Sequence, residues 1–124
     1  MGEKTVHING KHSDLTYLRG LAKGSDAFII QMLNIYIAQT PAALEHIENA
    51  LANKDWKSLR LAVHKLKPST MFVGLKEIID DVPLLEDYAV EESHLDEIPA
   101  LVNKIKIVCT QAIPELQEEI QKLK

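Results

Sequence analysis

The chain has 124 residues, of which 46% are apolar, 26% charged and 5% aromatic, with one cysteine and a formal net charge of −4. That is room for one domain with its own core, and it excludes a disordered chain, a disulfide scaffold and an aromatic-rich β-sandwich. The acidic balance also argues against general nucleic-acid binding.

In chain order, residues 1–12 are polar and read as a flexible arm, with residues 13–124 as a single domain. Ser13 or Asp14 is placed to cap a short helix over Leu15, Leu18 and Leu21, closed by Gly20 or Gly24. Ser25-Asp26 is a second cap, followed by Phe28, Ile29, Met32, Leu33, Ile35 and Tyr36 at helical spacing. Pro41 falls inside this pattern, which resumes with Leu44, Ile47 and Leu51; Thr40-Pro41 either starts a new helix or kinks one long helix.

Asn53-Lys54-Asp55 forms a turn and the next cap, with Trp56 as an anchor at the start of the helix that follows. Leu59, Ala62, Leu66, Thr70 and Val73 lie on one face, and Gly74 is expected to end the segment in the left-handed conformation. Leu75, Ile78, Val82 and Leu85 form another stripe with Pro83 inside it. Ser93 or Asp96 is expected to cap the last helix, whose seam runs through Ile98, Leu101, Ile105, Val108, Ala112, Leu116, Ile120 and Leu123, with Pro99 in its first turn and Pro114 bending it. No segment alternates strictly, so the expected fold is all-α: an antiparallel up-down four-helix bundle with one or two short N-terminal helices.

Charge is segregated. From Lys54 to Lys76 six basic residues stand against one acid, whereas Glu77 to Glu97 carry nine acids and no Lys or Arg. Solvated helix faces are the plain reading of such runs. His64 sits in the middle of the basic segment. On a helical wheel Lys57, Arg60, Lys67, Pro68 and Met71 fall within about 60° of it, while the core residues point away. The His64 face of its own helix carries no acid. An outward imidazole among cations suits a phosphoryl acceptor, because a neutral ring nitrogen can attack phosphorus and a nearby ammonium can stabilise phosphoryl oxygens. Lys67 is that ammonium, and Leu61, Met71 and Phe72 on the flanks form an apolar docking rim.

The string Val63-His64-Lys65-Leu66-Lys67-Pro68-Ser69-Thr70-Met71-Phe72-Val73-Gly74 resembles the signature of histidine-containing phosphotransfer (HPt) domains: a His, an apolar residue two on, a Lys three on, small residues four and five on, and a Gly ten on. The matching positions are His64, Leu66, Lys67, Ser69 and Gly74. Ala50 to Trp56 and the Phe28 to Pro41 helix are also similar to the family. Pro68 departs from the usual Gly and should bend the helix.

The resemblance implies a phosphorelay intermediate, a carrier and not a kinase, exchanging phosphoryl groups with receiver domains of response regulators or hybrid kinases. His64 would be the phosphoacceptor, Lys67 the stabilising cation and Gly74 structural. Lys57, Arg60, Leu61, Lys65, Pro68, Ser69, Met71 and Phe72 would meet the receiver. The alternative is a helical interaction module without phosphochemistry. No cofactor or metal is expected: Glu91-Glu92-Ser93-His94 is the lone Glu-x-x-His motif, and a di-metal bundle needs two. His7, His12 and His46 read as surface residues and Cys109 as a small buried apolar group. No run approaches the roughly 20 apolar residues of a membrane span. The start of the chain has no apolar h-region, and Val6 stands where myristoylation needs Ser or Thr. A cytoplasmic monomer outside the membrane is the expectation.

Overall fold

The structure, a computed structural model, describes residues 12–124. The expected arm therefore lies outside the described residues except for His12, and His7 lies outside them too. Five helices follow in order: α1 (Thr16–Ala22), α2 (Asp26–Ala52), α3 (Trp56–Phe72), α4 (Asp81–Glu91) and α5 (Ile98–Leu123). No β-strand is present among the described residues.

Helices α2 to α5 pack as a square, α2 on α3, α3 on α4, α4 on α5 and α5 back on α2. Their pairing is antiparallel. Lys57 and Arg60, near the start of α3, lie beside Ala89 and Val90 near the end of α4, and Pro99 and Val102 at the start of α5 lie beside Leu51 and Ala52 at the end of α2. The core is filled by the predicted stripes, including Leu33, Ile47, Leu59, Leu66, Leu85, Ile105 and Leu116. Val63, outside the predicted face, is buried in place of Ala62, which is only half-buried. Cys109 is buried with them, which pushes its thiol up to about 11.

The cap signals hold at Ser25, whose hydroxyl accepts from the Phe28 N–H, and at Asp55, whose carboxylate accepts from the Ser58 N–H. They fail at two other starts. Neither Ser13 nor Asp14 is the cap of α1, which is Leu15; α1 closes at left-handed Lys23, followed by Gly24, with Gly20 inside it and Leu21 exposed. The last helix is capped by Glu97 without a side-chain bond, not by Ser93 or Asp96, because left-handed His94 opens the turn that leads into it. Prolines break nothing. Pro41, Pro68 and Pro114 each sit inside a helix on an exposed position, where the carbonyl each leaves unpaired one turn back can meet water. The Thr40-Pro41 alternatives resolve as one long helix.

The stripe from Leu75 to Leu85 is not one helix. Leu75 and Ile78 are buried from a run of turns, and helix begins only at Asp81, with Pro83 in the first turn where its missing N–H costs nothing. Gly74 causes the break. It has φ +60, and the Leu75 N–H reaches back to the Thr70 carbonyl at 3.0 Å.

Gly74 also receives the N-terminal segment. Asp14 donates its N–H to the Val73 carbonyl at 3.0 Å and pairs with Lys76 at 2.6 Å. Glu115 of α5 accepts the His12 and Ser13 N–H groups and the Ser13 hydroxyl. His12 further contacts Glu77. His12 is thus no surface residue: its ring is nearly buried between two carboxylates.

By length and composition α2 is apolar enough to cross a membrane, with a mean hydropathy of 1.3 over its best window. Gln31, Asn34 and Gln39 break the apolar run, yet the Ile, Leu and Ala residues around them still carry the mean. A bundle helix passes the same test, and Ile29, Leu33, Tyr36, Leu44 and Ile47 of α2 are buried in this one.

A Cβ at residue 74 would stand 2.0 Å from the Asp14 carbonyl oxygen. Gly74→Ala is therefore expected to cost at least about 2 kcal/mol, through both the left-handed backbone and displacement of the N-terminal segment. An unchanged urea midpoint would contradict this. Hydrogen bonds from Lys76 and then Thr16 hold the Asp14 carboxyl down at about 2, against an ordinary 3.8. A lowered folded pKa gives stability that is complete above the unfolded value and is lost as pH falls toward the folded one. Asp14→Asn should flatten the pH dependence of stability between about 4 and 2, as thermal melts across that range will show.

Candidate functional site

Helix α3 starts after a three-residue turn, capped by Asp55, and turns Leu59, Val63, Leu66 and Thr70 inward. That phase puts His64 outward, with 65% of its side chain exposed. In α4, Val82, Leu85 and Ala89 face the core. Glu86, one residue past Leu85, is carried against α3 and keeps only 13% of its side chain exposed.

Glu86 joins the two helices through both carboxylate oxygens. Oε2 lies 2.7 Å from His64 Nδ1, and Oε1 accepts from Lys67 Nζ at 2.7 Å. Burial alone would raise the Glu86 carboxyl, but the hydrogen bonds from Lys67 and His64 outweigh it and hold the group below its usual range. Glu86 is then a carboxylate near neutral pH and can only accept, so Nδ1 carries the hydrogen. Nε2 has no partner among the described residues, and in the neutral ring it holds the lone pair.

The sequence reading placed no acid beside His64, and that holds for its own helix only. The acid arrives from α4, so part of the acidic run is a partner of the basic one rather than a solvated face. Periodicity could not find Glu86, since it sits beside its own stripe. The available signal was opposite charge on two consecutive segments that a short connection folds together.

The other predicted residues divide by side. Pro68 and Met71 share the outward face with His64; Leu61 and Met71 are 46% and 51% exposed. Lys57 is exposed and Arg60 half-buried in a groove with Trp56, Ala89, Val90 and Glu92. Lys65 and Ser69 face the other way, into a groove of about 300 Å³ shared with Gln39, Thr40 and His46 of α2. Phe72 is half-buried against the core, with its ring centroid 6.1 Å from that of Tyr17. It is more a support for α1 than a free rim. Among the described residues no group of His, Cys, Asp and Glu could hold a metal ion.

The family model described as the Hpt domain matches residues 31–124, about three-quarters of the chain. No curated protein and no solved structure matches it.

Of the groups that meet at Glu86, His64 is largely and Lys67 partly open to solvent, and water screens both, so their pairing should add little to stability. Glu86→Ala is expected to shift unfolding free energy by less than about 1 kcal/mol in urea titration. A loss of several kcal/mol would mean that the pairing serves the fold.

Proposed function

The chain belongs to the Hpt domain family, whose members serve phosphorelays of two-component signalling, and from that premise we propose that it carries a phosphoryl group on His64 Nε2 between receiver domains. The observation that supports this best is the state of the ring: exposed, with Nδ1 committed to Glu86 and Nε2 open. In the proposed step the Nε2 lone pair attacks the phosphorus of a receiver aspartyl phosphate. The N–P bond forms as the acyl O–P bond breaks, and the electron pair leaves on the aspartate carboxylate. Lys67, one turn along, turns its ammonium from Glu86 toward the phosphoryl oxygens.

In this reading the receiver docks on Leu61, Pro68 and Met71, with Phe72 behind them. Lys57 and Arg60 draw in its acidic pocket, whereas Lys65 and Ser69, turned toward α2, stand outside the contact and Lys65 adds only its long-range field. The protein works in the cytoplasm as a monomeric carrier, a phosphoryl relay rather than an ATP-dependent kinase. A binding module without chemistry would use the same exposed Leu61 and Met71, and the fate of phosphate separates the two.

Incubation with a phosphorylated receiver domain should label the wild type with an acid-labile, base-stable phosphate and leave His64→Gln unlabelled. Labelling that survives the substitution would remove His64. Lys67→Ala should slow transfer by about 10²-fold while the bundle stays folded by circular dichroism; an unchanged rate would remove Lys67 from the mechanism.

A further inference from the structure

Resting on that reading of His64, we propose that Glu86 keeps the Nδ1 proton on the His64–Glu86 pair throughout the phosphoryl cycle, so that phospho-His64 is held as an imidazolium ready to give its phosphoryl group up.

In the resting site Nδ1 carries a hydrogen that it donates to Glu86 at 2.7 Å. When Nε2 bonds to phosphorus, the ring, still bearing that hydrogen, becomes a cation. In water such a ring tends to release the proton. The N–P bond then has imidazolate as its leaving group, and transfer is slow. With the proton kept, the leaving group is neutral imidazole. Glu86 is the counter-ion that favours keeping it. It is mostly shielded from solvent and carried on α4, so its charge is already in place and needs no reorganisation.

The cycle balances without solvent protons. On loading, the N–P bond forms, the aspartyl O–P bond breaks and its electron pair goes to the aspartate. On delivery, an aspartate oxygen of the next receiver attacks phosphorus, the N–P bond breaks and its pair returns to Nε2. The ring is again neutral with hydrogen on Nδ1. Glu86 touches neither phosphorus nor receiver and is a positioning residue. The other charges around the ring act against the imidazolium: α3 brings Lys57, Arg60, Lys65 and Lys67, and α2 brings His46 on the far side of α3. On α4, Glu92 lies in the groove with Lys57 and Arg60, leaving Glu86 as the carboxylate in contact with the ring among the described residues.

The test uses the full chain, phosphorylated with the small donor phosphoramidate, so that receiver docking plays no part. Loss of phosphohistidine is followed by 31P NMR from pH 5 to 10. In the wild type fast hydrolysis should persist to higher pH than in Glu86→Gln, whose neutral amide oxygen still accepts from Nδ1 but offers no charge. The two profiles should stand apart by about one pH unit or more, with Glu86→Asp moving back toward the wild type. Superimposed profiles overturn the proposal. A second reading needs no variant: 15N NMR of the phosphorylated wild type at pH 8 should show Nδ1 protonated, and a bare Nδ1 overturns it. Wild type with no phosphate on His64 would instead overturn the acceptor role itself.

Discussion

One carboxylate organises the surface of this bundle. Glu86 crosses from α4 to α3 and takes a hydrogen bond on each oxygen, from His64 and from Lys67. An exposed histidine has two ring nitrogens of nearly equal standing and a ring that swings freely. With Nδ1 held by an ionised acceptor, one nitrogen is left as the nucleophile and the ring has one orientation. The same contact parks Lys67 a turn away, so nucleophile and cation are fixed by a single side chain.

That contact depends on where α4 starts. If helix had run on from Leu75, the chain would have kept a different phase, and Glu86 would not lie beside His64. Gly74 prevents this by ending α3 in the left-handed conformation. The turns that follow bury Leu75 and Ile78 before helix resumes at Asp81. Because residue 74 has no side chain, Asp14 can approach closely enough to bond the Val73 carbonyl, and the N-terminal segment seats over that end of the bundle. Glu115 and Lys76 fasten it from two further elements. Tyr17 of α1 then meets Phe72, one turn beyond Pro68 on the site helix.

Much of the fold was readable from periodicity. The stripes Ile29 to Ile47, Leu59 to Thr70 and Ile98 to Ile120 turned mostly inward as their 3.6-residue spacing demanded, with Ile35 exposed and Val63 rather than Ala62 in the core. Ser25 and Asp55 were readable as caps because their side chains bond the backbone three residues on. Pro41 left two readings open, because an exposed proline can sit inside a helix as well as start one, and only the packing of α2 decides for the single long helix. His64 and Lys67 were visible as an outward pair on one helix. Glu86 was not, because its partners are 22 and 19 residues away and nothing local marks it. His12 was misread for the same reason: both of its carboxylates come from distant elements.

Glu86 leaves one ring nitrogen of His64 open, so the most direct measurement is the position of the phosphate. Two-dimensional 31P–15N NMR of the phosphorylated chain should show phosphorus bonded to Nε2 of His64. Phosphorus on Nδ1, the nitrogen assigned to Glu86, or on any residue other than His64, would contradict it.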